Sequence, residues 1–525
     1  MPWKILGHIP IAADCEAHFP AHAHPHVYAH YIRKKYNLGK VFYVDFWPLG
    51  PRNLFIADPE IASQYVTTTQ SLPKSPIVRD YLHKLLGPNN MVSSEGAKWK
   101  ALRSMFNPGF ASAHLMTLVP YIVDQSLVFC DVLRECAASN ALVEMEELAT
   151  RLTVDIIGKV VLDSDFNAQR SDNPIVDTFR RQVVLMPPTS INPLLGLDPL
   201  RNFNLWVNGR KLDRLIGEEL DRKFSASKQN GSTEKMSRKD RKRSVVDLAL
   251  EAYQKESTNG TKTRSGVMDA RFRQNSIDSI KTFIFAGHDT TSSTIACVFY
   301  LLHGRPACHE KVIAELTSIF GKLDSSSIAS QIRGNPHLIN KLDYTTAVIK
   351  ETLRLFPPAS TLRTARDQDL AITDPETGEV FPMKGFTVWP IVHLIHRNDE
   401  FFPRPTEFIP ERFILEETPF PECKLFTSAG RDAWRPFEKG ARNCVGQELA
   451  MIETKVILAM TLGVFDFVTE FDGKEIKQES SCESVDERMP VGGGRVKTVE
   501  GRRVYQVLKG SAKPAGGMPG RVKVR

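Results

Sequence analysis

The sequence has no paired cysteines. Its eight cysteines fall at 15, 130, 136, 297, 308, 423, 444 and 482, with no CxxC unit and no regular framework. They read as free thiols in a reducing compartment, each to be judged alone. No run of about 18 or more apolar residues occurs, and the first residues lack the charged-then-apolar pattern of a signal peptide, so no segment is expected to span a bilayer by itself. On these grounds the chain reads as cytosolic, and the triplets at Asn230 and Asn259 match the glycosylation pattern by chance. The net charge of +7 over 525 residues is mild. It comes without a basic helix interleaved with aromatics, so no nucleic acid is expected as a partner. No internal repeat stands out.

What is present is enough apolar material for a large core: 42% of the residues are hydrophobic, and the length fits two domains or one large fold. From about residue 112 to 355 apolar residues recur at spacings of three and four, as in LVEMEELATRLTVDIIGKVVL, which predicts helices. Short strand-like runs cluster toward the ends: KVFYVDFW and RNLFIAD early, LAITD and TVWPIVH late, RRVYQVLK near the C-terminus. The expected fold class is mainly α, a large helical body with small β-sheets made by distant segments. Residues 223–243 are polar and basic and read as an exposed connection between two helices. KDRKR within them reads as a solvated loop rather than as a nuclear address or a lipid patch. Five histidines lie between His18 and His30. Because Pro20 and Pro25 interrupt any helical face there, the stretch reads as a surface segment without bound metal.

Residues 437–446 read FEKGARNCVG and run straight into a helical pattern, QELAMIETKVILAM. A cysteine just before a helix N-terminus has its thiolate stabilised by the dipole and by free backbone N–H groups, while Gly440 and Gly446 let the backbone turn tightly and approach a flat partner. Taken alone, Cys444 reads as a small buried apolar residue, the commonest fate of a free cysteine. Other elements accompany it. KETLRLFPP puts Glu351 and Arg354 three apart on a helix that stops at the proline pair, and FIPERF puts Glu411 and Arg412 ahead of the cysteine loop. Upstream, FIFAGHDTTSSTIACVFYLL is an apolar helix on which Ala286, Gly287, Thr290 and Thr294 share a face small enough for something large to lie against it. Asp289 is costly in such a helix. An acid beside a hydroxyl there points to proton delivery; a buried helix with self-satisfied hydroxyls is the alternative.

Together these elements resemble the cytochrome P-450 superfamily, the haem-thiolate monooxygenases. The family's cysteine-loop signature FxxGxRxCxG is met by Phe437, Gly440, Arg442, Cys444 and Gly446, and its ExxR pair by Glu351 and Arg354. Its [AG]GxDTT element is met by residues 286–291, its PERF-like element by Pro410 to Phe413, and its WxxxR element by Trp99 and Arg103. The five occur in the family's order. The resemblance implies a P-450 domain over residues 1–510 followed by a basic C-terminal tail at 511–525. It places haem b (iron protoporphyrin IX) between the oxygen-activating helix and the cysteine loop. It implies Cys444 as the axial thiolate ligand of the haem iron, and Trp99, Arg103, Arg363 and Arg442 as partners of the propionates. Phe437, Gly440 and Gly446 then shape the cofactor loop, and Glu351, Arg354 and Arg412 form a buried ion network that supports it. Thr290 and Asp289 become the catalytic alcohol and acid that relay protons to dioxygen.

The implied activity is insertion of one atom of dioxygen into a small apolar organic substrate by a monomer that takes electrons from a separate NADPH-cytochrome reductase. No nucleotide-binding fingerprint follows a strand, so a fused reductase is excluded. Arg431, Arg435 and Lys439 are expected as a basic docking face for that donor, or as ordinary solubilising charge. The cysteine loop, AGHDTTSSTI and ARDQDLAITDPETGEVFPMKG look most like fungal secondary-metabolism members of the sterigmatocystin and versicolorin type, which oxidise aromatic polyketides. Microsomal members of the family sit on the cytosolic face of the endoplasmic reticulum by an N-terminal anchor. The segment that follows the anchor in them resembles KILGHIP, which begins here at residue 4, so the expectation is either a sequence truncated ahead of this point or a cytosolic or peripherally attached protein. Residues 185–200, LMPPTSINPLLGLDPL, lie where the family has its mobile substrate-access cover and are apolar enough to touch a lipid surface; a buried loop is the alternative. A haem-thiolate isomerase or dehydratase that uses no dioxygen is a rival reading, against which Asp289 and Thr290 argue. A non-enzymatic haem sensor or carrier is another, and would not need the proton relay.

Overall fold

The computed structural model describes residues 7–20, 22–47, 50–65, 71–186, 198–233, 243–259, 268–471, 474–475, 490–491, 494–495 and 498–525. The helices that position the site are, in chain order, α1 (Ile9–His18), α2 (Pro25–Lys35), α3 (Gly96–Phe106), α4 (Ser112–Ser139), α5 (Met145–Leu162), α6 (Pro174–Leu185), α7 (Pro199–Thr233), α8 (Ala270–His303), α9 (Asp343–Leu355) and α10 (Gln447–Thr461). The axis of the body is α8. Asp269 caps it, accepting from Phe272 N–H at 3.0 Å, and it is buried on every side over most of its length, as a core helix is. Thr290 and Thr294 donate back to the carbonyls of Ala286 and Thr290 one turn earlier, the usual recourse of hydroxyls inside a helix. Packing against α5 depends on Gly287, since a Cβ there would meet Ile157 at 2.7 Å. One described helix, α4, is long and apolar enough to cross a bilayer. Here Leu115, Val119, Ile122, Phe129 and Leu133 on α4 are buried in the main core, packed against α5 and α10.

Small sheets flank the helices. β1 (Val41–Asp45), β2 (Arg52–Ile56), β3 (Arg363–Thr364) and β4 (Thr387–Pro390) join in the order β1-β2-β4-β3, with β1 and β2 antiparallel and β2 and β4 parallel. The chain then turns at once into a short helix, Val392–Ile395, so TVWPIVH is a strand only in its first half. The C-terminal part contributes β5 (Phe465–Phe471), β6 (Gln506–Lys509), β7 (Ser511–Pro514) and β8 (Pro519–Val524). β6 and β7 form a hairpin turned at Gly510, whose φ is +81° and whose Cβ would lie 2.9 Å from the Phe285 ring of α8. β8 pairs antiparallel with β5.

Residues 511–525 are therefore not a tail. Of the four basic residues that suggested one, Lys513, Arg521 and Arg525 pair with Glu146, Glu470 and Asp466 and Lys523 is exposed, while Ala512, Met518 and Val522 are buried. The histidine stretch also departs from expectation. Pro25 opens α2 at its first turn instead of interrupting a helix, and His24 and His26 are buried, not at the surface. α7 runs on to Thr233, into the segment expected to be a loop; residues 234–242, with most of KDRKR, lie outside the described residues, as do 187–197 of the expected access cover.

Candidate active site

The cysteine loop folds back on itself before α10. Gly440 takes φ +72°, Asn443 N–H donates to the Gly440 carbonyl at 3.1 Å, and Cys444 N–H donates to the Phe437 carbonyl at 2.9 Å. The turn sets Cys444, with Phe437 and Gly446, in the wall of a cavity that, mouth included, holds about 1330 Å3. Cys444 is exposed by area, but the space it faces is this interior cavity. Burial pushes its thiol up, while the N–H groups of Gly446 and Gln447 and the Arg103 guanidinium pull it down. Burial prevails, so the helix N-terminus does not by itself make the thiolate; a metal cation bound at the sulfur would.

Across the cavity stands α8, with Thr282, Phe283, Ala286, Gly287 and Thr290 in the wall. The remaining lining divides into an apolar part, which includes Met91, Phe110, Ile157 and Val392, and a cationic part made by Lys74, Arg103, Arg435 and Arg442 beside Trp99. The Arg442 guanidinium lies 4.6 Å from the Trp99 ring centre and donates to the carbonyls of Ser94 at 2.8 Å and Val92 at 2.9 Å. Arg103 holds Asn443 through its carbonyl at 2.8 Å and its Oδ1 at 2.9 Å. Arg363 does not line the cavity. It sits behind Lys74, bridged to it through the backbone, with Nη1 on the Leu72 carbonyl at 2.9 Å and with Nε and Nη2 buried without a partner. Burial and neighbouring cations push Lys74 far down, and burial pushes Arg442 down to about 10. Glu438, paired with Arg435, and Glu95, 3.5 Å from Arg442, are fewer than the five cations Lys74, Arg103, Arg363, Arg435 and Arg442; this surplus of positive charge next to a thiol fits a flat group carrying carboxylates and a metal ion, which is what haem b offers.

The predicted ion network is assembled. Arg354 meets Glu351 through Nε at 2.7 Å and Nη2 at 2.8 Å, and Arg412 Nε meets Glu351 Oε1 at 3.0 Å. All three side chains are at most 1% exposed. Burial alone would raise the Glu351 carboxyl, but Arg354 and Arg412 outweigh it and hold it below the usual range. The spare donors of Arg354 reach the carbonyls of His396, Pro405 and Glu407. His396 carries the connection onward. Arg435 N–H donates to its Nε2 at 3.0 Å, so Nδ1 bears the proton and donates to the Arg354 carbonyl at 3.1 Å. The network thus grips the segment that leads into the cysteine loop.

Thr290 and Asp289 part company. Thr290 lines the cavity and its hydroxyl donates to the Ala286 carbonyl at 2.8 Å. Asp289 is buried on the side of α8 toward the hairpin, where its carboxylate pairs with Lys513 Nζ at 2.7 Å and accepts from Ser511 N–H at 2.8 Å. Of the three basic residues expected at a docking face, Arg435 is only 1% exposed, pairs with Glu438 and lines the cavity. Lys439 is half-buried and donates to the Arg431 carbonyl at 3.1 Å, leaving Arg431 exposed. Lys74, His396, Lys513 and Glu453 were not singled out from the sequence. Glu453, in the cavity wall, has its carboxyl pushed up by burial to about 8, against a pull from the Thr291 hydroxyl.

Comparison with known proteins agrees with this geometry. The profile of the family described as Cytochrome P450 matches residues 2–487. The chain is 38% identical to cytochrome P450 monooxygenase acrF of Aspergillus aculeatus over 95% of its own length and 97% of the relative's. It is 34% identical to cytochrome P450 monooxygenase polC of Polytolypa hystricis over 99% and 88%. The fold matches a cytochrome P450 crystal structure (CYP102L1) with a TM-score of 0.70 at 18% identity, covering 95% of this chain and 99% of that one. With the profile covering most of the chain and two monooxygenases matched over nearly its full length, the chain belongs to the cytochrome P450 family and is a haem-thiolate monooxygenase.

Proposed function

We propose that this monooxygenase draws electrons from a separate NADPH-cytochrome reductase and inserts one atom of dioxygen into a small apolar metabolite of the fungal secondary-metabolite type, with aromatic polyketides the favoured class. The observation that carries the reading is one cavity that is lined by both Cys444 and Thr290 and whose surface is mostly apolar. When bound, haem supplies the reductive activation of dioxygen. Cys444 would ligate the iron, and Lys74, Arg103 and Arg442, with Arg363 behind them, would neutralise the propionates. Met91, Phe110, Ile157, Phe283 and Val392 exclude water and bind substrate by burial, at about 25 cal/mol per Å2 of apolar surface. The tilted rings of Phe110 and Phe283, 5.0 Å apart, suit a ring-bearing substrate. Thr282, Ser360 and Thr361 supply the few polar groups that orient it. Thr290 Oγ would accept a hydrogen bond from a water at the cavity, and the Asp289 carboxylate, once clear of Lys513, would take a proton from solvent and pass it to that water.

Membrane contact is part of the proposal. Val184, Leu200, Phe203, Trp206 and Val207 are exposed on either side of residues 187–197, and such a cluster favours an interface. On this reading the protein works at the cytosolic face of the endoplasmic reticulum as a monomer, with Arg431 in the reductase-docking face. The test is reconstitution with reductase, NADPH and a panel of polycyclic aromatic polyketides under isotopically labelled dioxygen. Substrate-dependent NADPH oxidation with one labelled oxygen in the product is expected. Product formed without dioxygen uptake would favour an isomerase or dehydratase, and haem reduction with no turnover of any candidate would favour a sensor.

A further inference from the structure

The histidine-rich stretch near the N-terminus takes no part in the cavity, yet the fold gathers it. His26 and His30 stand one turn apart on α2 and share a face. That face meets His393 of the short helix Val392–Ile395: the His26 and His393 rings stack at 4.2 Å, and His30 stands edge-on to His393 at 5.9 Å. A third segment brings Glu500, whose Oε1 lies 3.2 Å from His393 Nε2. One donor atom each from His30, His393 and Glu500 lies within 4.8 Å of the others. Metal–ligand bonds of about 2.0–2.2 Å place tetrahedral donors roughly 3.3–3.6 Å apart, so small side-chain rotations close the present spacing around one ion.

We propose that His30, His393 and Glu500 form a site for one divalent transition-metal cation of the Zn2+ class, separate from the haem cavity, which clasps α2 to the C-terminal segment. Two imidazoles and a carboxylate suit Zn2+ rather than Ca2+ or Mg2+, which favour oxygen ligands throughout. His393 Nδ1 is buried with no partner, so this imidazole has an unused donor atom as well as the one facing Glu500. Burial keeps the histidines neutral, the form that ligates metals, pushing His30 to about 4 and His24 and His393 to about 3. Arg397 is the competing cation. It meets Glu500 Oε1 through Nε at 2.6 Å and Oε2 through Nη2 at 2.8 Å. It also bonds the Leu355 carbonyl at 3.1 Å, so it can yield Oε1 to an ion and keep Oε2. His30 is half-buried and leaves a way in, and water or His26 completes the coordination.

The test uses the haem-loaded full chain without a histidine tag, stripped with a chelator and dialysed against Zn2+, with bound zinc counted and thermal unfolding followed. One zinc per chain and a higher melting temperature are expected. Outer-shell partners alone are worth about 10–100-fold in metal affinity, so His30→Ala and Glu500→Gln should each weaken binding by at least about tenfold. His22→Ala, at an exposed histidine, should leave binding unchanged. The haem absorbance of each variant checks folding; should Glu500→Gln fail to fold, His30→Ala at its half-buried position decides alone. A parent chain that retains no zinc, or equal zinc in His30→Ala and the parent, overturns the site.

Discussion

Lys513 Nζ lies 2.7 Å from the carboxylate of Asp289 and 2.6 Å from that of Glu146, so the acid next to Thr290 is held by a cation from the far end of the chain. Ser511 N–H adds a bond to the same carboxylate. Burial would lower Lys513, but Asp289 and Glu146 outweigh it and keep it protonated. One ammonium thereby serves two buried carboxylates and ties α5, α8 and the C-terminal hairpin together.

Removing that ammonium should cost more than removing either acid. Lys513→Met leaves Asp289 and Glu146 buried without a counter-charge, a loss of about 3–5 kcal/mol by analogy with other broken buried pairs. Asp289→Asn leaves Lys513 still paired with Glu146 and should cost less. Denaturant unfolding of the two variants beside the parent measures both; the reverse order would mean that Lys513 is not the hub.

Glu351 is the single acid between Arg354 and Arg412, so Glu351→Ala strands two buried guanidiniums at once. The expected loss is again about 3–5 kcal/mol, and because His396 passes the network on to Arg435, the cysteine loop should loosen with it. Haem content per chain should fall sharply. Full haem occupancy in Glu351→Ala would show that the loop stands without the network.

The residues whose chemistry depends on local spacing were legible in the sequence: the cysteine loop, the Glu351/Arg354 pair one turn apart, and the small-residue face of α8. Those whose role depends on a distant partner were not. Arg435 lies between Arg431 and Lys439 in sequence and reads like them, yet only its pairing with Glu438 and His396 buries it. β7 has four residues, too few for alternation to show, and Lys513 in it looks like any surface lysine until Asp289 and Glu146 are placed beside it. Pro25 was misread because a proline that breaks a helix from inside also begins one well.

Glu453 should make stability depend on pH in a way that one substitution removes. Its carboxyl moves from an ordinary 4.5 to about 8, so between those values the folded chain keeps a proton that the unfolded chain releases. The stabilisation is complete below about pH 4.5 and is lost as pH rises through about 8. Glu453→Gln cannot titrate. Its melting temperature should gain on the parent's from pH 4.5 to 8, and a difference that stays constant with pH would rule out a neutral Glu453.

Thr290 is the residue by which oxygenase and carrier are told apart. Its hydroxyl is in the cavity wall, while the Asp289 carboxylate is turned to Lys513, so of these two it is Thr290, or a water it holds, that faces the cavity. Thr290→Ala removes a hydroxyl and a methyl group from a wall that already contains the small residues Ala286 and Gly287, and should leave haem binding, reduction and substrate binding intact. With the local proton source gone, NADPH should still be consumed but peroxide should appear in place of product. A positioned acid or base contributes about 100 to 10,000-fold, so product per NADPH should drop plainly while NADPH oxidation falls much less. Asp289→Asn should behave differently: it slows turnover, because the supply behind Thr290 is weakened, and leaves the ratio of product to NADPH closer to the parent's. The assay is product, NADPH and peroxide measured together with reductase in excess. Unchanged coupling in Thr290→Ala would remove this hydroxyl from proton transfer and leave it the purely structural bond to Ala286 seen in α8.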